Sequence, residues 1–282
     1  MCIRDSVFVV TTDDLEAHVR EQLPDVPVAN IIRGPFGRNT GPCIALAATI
    51  LRQKYDDDTI LVILPSDHVI QNVREFQSVL NRACTAAMAQ QCIVTIGVMP
   101  TRPESGFGYI QVGDDVETTN PILDGRLQHV RTFAEKPDVA TAQRFIDAGD
   151  FVWNSGIFVA RIGVLLDTIH KHLPDHGPLF QVYARSIGND DERDVLEEPR
   201  LSLAAQDLDR HGVQDRVEGI VVGRDLAREG DRGRQSGRIG RHVEQRHVRR
   251  AEVRDVDARS IGADREPARV ARVGDAVAVL VD

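Results

Sequence analysis

Residues 61–70 read LVILPSDHVI. An apolar run from Ile60 to Leu64 stops at Pro65, and Ser66, Asp67 and His68 follow at once. A continuous run rich in Ile, Val and Leu predicts a strand buried on both faces of a parallel sheet. In open α/β sheets, ligands bind beyond the carboxyl ends of the strands. Asp67 therefore has two readings. It is a carboxylate placed to hold a metal against phosphates, or it caps a turn after the strand.

Outward from this run, the chain alternates in type. VFVVTT (7–12) reads as a strand and LEAHVREQL (15–23) as an amphipathic helix, with Asp13 or Asp14 as its cap. TGPCIALAATILRQKY (40–55) reads as a helix capped by Thr40, with Pro42 in the first turn, where proline is tolerated. REFQSVLNRACTAAMAQ (74–90) is a further helix and CIVTIGV (92–98) a further buried strand. GYIQV (108–112) and HVRTFAE (129–135) are strands of antiparallel or mixed pairing. VATAQRFIDAG (139–149) is a helix with a glycine C-cap, and GIFVARI (156–162) is a strand. Strand–helix alternation with short connections predicts a doubly wound α/β layer.

Composition bounds the function. The 282-residue chain carries a net charge of −9. Residues 1–195 hold 17 basic and 26 acidic side chains, so the whole excess lies there. An acidic domain does not suit broad nucleic-acid backbone binding, although a few local cations can still hold a small phosphorylated ligand. No apolar run approaches the roughly 20 residues needed to cross a membrane, and no signal segment opens the chain. Four scattered cysteines show neither metal spacing nor a disulfide framework, which favours a reducing cytoplasm.

The C-terminal part is unlike the rest. Residues 184–282 contain no Phe, Tyr, Trp, Cys, Met, Lys or Thr, and from Leu196 onward 17 Arg balance 17 acids. A solvated, salt-bridged or disordered tail is one reading. A nucleic-acid arm fits less well, because acids match the Arg and no aromatics interleave. Out-of-frame translation of GC-rich DNA is another, since the favoured residues have G- or C-rich codons. We therefore expect a partial domain over residues 7–195 and an unassigned tail over 196–282.

Four motifs accompany Asp67. GPFGRNTGP (34–42) leads into the helix at Thr40, where free backbone N–H groups favour an anion or a purine's acceptor edge; Arg38 and Asn39 add donors. PTRPESGFGYI (100–110) follows a buried strand, and Gly106 and Gly108 allow close approach of a sugar or phosphate. FAEKPD (133–138) places Glu135 and Lys136 side by side, and the chain has only three Lys. Strand neighbours point to opposite faces, so both reach one ligand only through a twist or bulge near Pro137. VWNSGIF (152–158) sets Asn154, able to donate and accept toward sugar hydroxyls, after the only Trp. The plain alternatives are a capped turn, a hairpin turn, an exposed ion pair and a buried Trp beside a turn.

In order and spacing, GRNTGP, LPSDH, PTRPESGFGYI, EKPD and WNSGIF resemble the mannose-1-phosphate guanylyltransferases of bacterial type, over about residues 7–183. The resemblance implies a Rossmann-like nucleotidyltransferase layer with a mixed sheet. It implies transfer from GTP to mannose 1-phosphate, giving GDP-mannose and pyrophosphate, with Mg²⁺ as cofactor; oligomeric state is open. By position it makes Asp67 the metal-binding aspartate. Arg38, Asn39 and Thr40 match the loop near guanine, and Gly106 the sugar-contacting glycine. Glu135 and Lys136 match the pair holding the sugar and its phosphate, which makes Lys136 catalytic beside Asp67, and Asn154 matches the sugar-binding asparagine.

The chain departs from that pattern. It lacks the family's opening strand with its glycine-rich triphosphate loop, the second metal-binding aspartate and the C-terminal β-helix. An impaired fragment is therefore expected. The alternatives are transfer to another sugar 1-phosphate, or a non-catalytic sugar-nucleotide-binding module.

Overall fold

The computed structural model describes residues 6–34, 40–172 and 177–198 in full, and 219–223 and 277–281 through their backbone. In chain order the strands are β1 (Val7–Thr11), β2 (Ile31–Arg33), β3 (Ile60–Pro65), β4 (Ile93–Val98), β5 (Tyr109–Asp115), β6 (Leu127–Ala134), β7 (Phe151–Arg161), β8 (Gly219–Gly223) and β9 (Val277–Val281). The helices are α1 (Asp13–Gln22), α2 (Thr40–Leu51), α3 (Val73–Gln90), α4 (Val139–Ala148), α5 (Ile162–His172), α6 (Gly177–Ser186) and α7 (Glu192–Leu196). The strands form one mixed sheet in the order β2-β1-β9-β3-β7-β4-β8-β6-β5, with β7 also paired to β5.

The LVIL run accounts for the layering. Successive side chains on a strand point to opposite faces. Leu61 and Ile63 pack with Leu46, Leu51, Leu165 and Phe180 from α2, α5 and α6. Ile60 and Val62 pack with Val79, Ala83 and Ala87 of α3. A strand apolar on both faces thus has helices on both sides, as expected of a doubly wound layer. Small residues allow close approach: Ala45, Ala47 and Ala48 on α2, and Ala83, Ala86 and Ala87 on α3, are all buried.

Several element ends differ from the sequence reading. The N-cap position of α1 is Thr12, and no side chain caps it. Asp13 is the first helical residue, and its carboxylate bonds the Arg193 guanidinium of α7, with Arg33 at 4.0 Å. That long-range pairing, chiefly with Arg193, competes with capping and holds the Asp13 carboxyl below the usual carboxylate range. Thr40 is itself the first residue of α2, so the capping position before it lies outside the described residues. Helix α2 ends at Leu51, four residues earlier than its apolar content indicates. Two strands from beyond residue 195 join the sheet. β8 runs parallel to β4 and antiparallel to β6, and β9 lies between β1 and β3, parallel to both.

Helix α4 follows its sequence signals closely. Asp138 accepts a hydrogen bond from Thr141 N–H at 2.7 Å, and Gly149 closes the helix at φ +77°. The Thr141 N–H and hydroxyl hold the Asp138 carboxyl below its usual range.

Burial and capping each give a stability test. Leu61 is fully buried and Val69 is 87% exposed. Leu61→Ala is expected to cost about 2–5 kcal/mol of unfolding free energy in urea titrations, whereas Val69→Ala stays within about 0.5 kcal/mol. The Asp138 pKa is lowered on folding, so its contribution is present above the ordinary value of 3.8 and lost as pH falls through the folded value. Asp138→Ala should lower the melting temperature at pH 7, and the deficit should vanish in strongly acid buffer.

Candidate functional site

The site is built where three motifs meet on one row of the sheet. Tyr109 of β5 pairs with Trp153 of β7 on one side and with Ala134 of β6 on the other. This register sets Gly108, Glu135 and Asn154 side by side. Asn154 N–H donates to Gly108 O at 2.8 Å. A Cβ added at Gly108 would lie 2.8 Å from Glu135 Oε2 and 3.5 Å from Asn154 Cβ. Only glycine leaves Glu135 its place there.

Asn154 is oriented by its surroundings. Its Oδ1 accepts from Gly156 N–H at 3.1 Å, and the buried Thr95 hydroxyl of β4 lies 3.5 Å away. Because an N–H must meet an acceptor, this geometry fixes Oδ1 and leaves Nδ2 as the free donor group. The next residue, Ser155, is tied by its hydroxyl to Ile96 O at 2.6 Å. The sequence starts this strand at Gly156, with a turn beside Trp153 as the plain alternative, but the NSG segment is strand throughout. β7 spans eleven residues because β4 pairs with it from Trp153 to Val159, while β5 pairs with Phe151–Trp153 and β3 with Phe158–Arg161. Gly156 absorbs the change of partner at φ +70°.

The Glu135–Lys136 pair resolves the question of opposite faces. β6 ends at Ala134, and Lys136 adopts a left-handed backbone at φ +44°. For a residue with a side chain this is uncommon and mildly costly. The turn it makes brings Lys136 Nζ to 3.4 Å from Glu135 Oε1, with both side chains more than half exposed. Pro137 and the Asp138 cap of α4 follow at once and hold the turn from its far side.

The loop before β5 is braced from within. Gly106 N–H donates to Glu104 Oε1 at 3.2 Å, and Arg102 Nε donates to Glu104 Oε2 at 3.1 Å. These contacts, the Gly106 N–H first, hold the Glu104 carboxyl below its usual range. Tyr109 OH exchanges hydrogen bonds with Glu104 N–H and Glu104 O at 3.1 and 3.0 Å. Trp153 takes the Phe107 ring edge-on at 5.2 Å and the Arg102 guanidinium at 5.6 Å. Glu104, Thr95 and Tyr109 escaped the sequence reading of the site. Glu104 and Tyr109 lie within the PTRPESGFGYI motif without having been singled out, and Thr95 is the one hydroxyl in an apolar strand.

Asp67 lies on the neighbouring edge. A Cβ at Gly156 would touch Pro65 Cγ at 3.3 Å, so the asparagine segment and the end of β3 are in contact. Asp67 is two residues further on, its side chain 87% exposed, with His68 Nε2 at 4.0 Å. No helix follows at this point; α3 is capped by Asn72, which accepts from Glu75 N–H. The Asp67 carboxylate sits in the turn that follows β3 and is open to solvent. Among the described residues no group of three or more His, Cys, Asp or Glu converges to cage a metal. A lone exposed carboxylate fits Mg²⁺, which keeps water and substrate phosphate oxygens as its other ligands. Arg38 and Asn39 lie outside the described residues; Thr40 opens α2, half-buried.

Comparison with known proteins gives the family of the chain. The nucleotidyl transferase family profile matches residues 3–193. The mannose-1-phosphate guanylyltransferase ManC of Salmonella typhimurium is 36% identical over 222 residues, covering 77% of this chain and 45% of that protein. The xanthan biosynthesis protein XanB of Xanthomonas campestris is 39% identical over 217 residues, covering 76% and 44%. The chain thus spans less than half the length of these curated relatives. The crystal structure described as a mannose-1-phosphate geranyltransferase from Thermus thermophilus superposes with a TM-score of 0.59 at 24% identity, over 76% of this chain and 58% of that one, a likeness of fold. No helix among the described residues is long and apolar enough to cross a membrane. With the family profile matching about two thirds of its length, the chain belongs to the nucleotidyl transferase family.

Proposed function

We propose that this chain provides the sugar-phosphate side of a mannose-1-phosphate guanylyltransferase, acting on GTP and mannose 1-phosphate. The observation that carries this is the convergence of Gly108, Glu135, Lys136 and Asn154 beside the Asp67 edge. Glu135 accepts from sugar hydroxyls, and Asn154 Nδ2 donates to them. Lys136 pairs with the sugar phosphate as a mobile point charge. In the reaction a phosphate oxygen of the sugar 1-phosphate bonds to the α-phosphorus of GTP. The bond from that phosphorus to the β-phosphate's bridging oxygen breaks, and pyrophosphate leaves. Such transfer depends mainly on positioning and charge neutralisation. Mg²⁺, held through Asp67, supplies charge neutralisation on the phosphates when bound. The chain's own part is to fix the sugar, and Lys136 neutralises its phosphate as it approaches.

ManC and its relatives support the substrate pair. Free thiols at Cys43, Cys84 and Cys92 suit a cytoplasmic setting; burial pushes Cys84 and Cys92 up to about 11, which keeps them protonated.

Binding tests this reading without depending on turnover. By calorimetry, Lys136→Ala should weaken mannose 1-phosphate binding by roughly tenfold or more, the scale of one charge-assisted hydrogen bond. Asp67→Asn should leave metal-free binding within about twofold and remove any tightening by Mg²⁺, since the carboxylate acts through the cation. Equal affinity in the wild type and Lys136→Ala would contradict the assignment. Gly108→Ala, which displaces Glu135, should weaken binding of the sugar phosphate with little change in inorganic phosphate binding.

A further inference from the structure

Helix α3 buries Val79, Ala83, Ala86 and Ala87 against the sheet. Its residues Arg74, Gln77, Ser78, Asn81 and Arg82 follow the spacing of a second face. They line an open cavity of about 510 Å³ with Arg126 and the 121–122 segment of the β5–β6 connection. No residue of the sugar-phosphate site takes part in it.

Arg82 is the unusual member. It is 8% exposed. Its Nη1 donates to Ser78 Oγ at 3.1 Å. Its Nε and Nη2 are shut off from solvent and have no hydrogen-bond partner. Among the described residues no carboxylate forms an ion pair with it. A guanidinium stays charged at any physiological pH, and a buried charge without a counter-ion is costly. Nε–H and Nη2–H form one edge of the guanidinium, two parallel donors whose spacing matches two oxygens of a phosphate or carboxylate.

We propose that this cavity is an anion site for a small phosphorylated molecule, with the phosphate taken by the Nε/Nη2 edge of Arg82. Arg74 places a second guanidinium on the same space, which favours a phosphate over a single carboxylate. Gln77, Ser78 and Asn81 supply amide and hydroxyl groups for the hydroxyls of a polyol attached to that phosphate. The volume exceeds that of inorganic phosphate alone, so the polyol has room. Because Nε and Nη2 are closed to solvent, binding requires the Arg82 side chain to shift toward the cavity.

The test uses the full chain carrying Lys136→Ala, which weakens the sugar-phosphate site, with inorganic phosphate and glucose 6-phosphate as probes in calorimetric titrations. Both probes are expected to bind saturably, glucose 6-phosphate more tightly. Adding Arg82→Gln should weaken both by roughly tenfold or more, the scale of a lost charge-assisted pair. Arg74→Ala, at an exposed helix position that does not bear on folding, should weaken both by about threefold, as for one screened rim charge. If Arg82→Gln does not fold, Arg74→Ala provides the reading. Tighter binding of inorganic phosphate than of glucose 6-phosphate would assign the cavity to the free ion and overturn the polyol part. Absence of binding, or affinities unchanged by Arg74→Ala, would overturn the site itself.

Discussion

The arrangement depends on β7 and the change of partners along it. β4 stays beside it from Trp153 to Val159, whereas β5 pairs with its first residues and β3 with its last, and it runs antiparallel to all three. Without that exchange, the loop before β5 and the Glu135–Lys136 turn would not share a row with Asn154. Gly156 at φ +70° and the Thr95 and Ser155 hydroxyls hold the strand through the change. Hydrogen bonding inside the sheet therefore fixes the orientation of the Asn154 amide.

Charge follows the same economy. The domain over residues 1–195 is acidic, with 26 acids against 17 bases. The proposed phosphate contacts are isolated cations in defined places, as with Lys136 in a left-handed turn beside its own acid. Surface pairs such as Arg52–Asp57, both about half exposed, contribute little, being solvated on both sides. Arg82 differs because burial removes the solvent that would otherwise screen it.

What could be read from the sequence divides along physical lines. β3 was legible because both of its faces are apolar, and α4 because Asp138 and Gly149 are local capping signals. The candidate residues Gly106, Glu135, Lys136 and Asn154 were legible as motifs. Their assembly was not, since it is set by the long-range register of Tyr109 with Trp153 and Ala134. The Asp13 cap failed for the same reason: its partner, Arg193, is 180 residues away. The NSG segment read as a turn because Asn, Ser and Gly favour turns locally, whereas sheet pairing on both sides overrides that preference. β8 and β9 join the sheet from a region whose composition gave no strand signal strong enough to assign.

The most direct measurement is amide chemical-shift mapping of the full chain during titration with mannose 1-phosphate. The largest shifts are expected on Gly106, Gly108, Lys136 and Asn154, with smaller ones at the end of β3. Shifts concentrated elsewhere, with those four amides unmoved, would contradict the placement of the sugar phosphate.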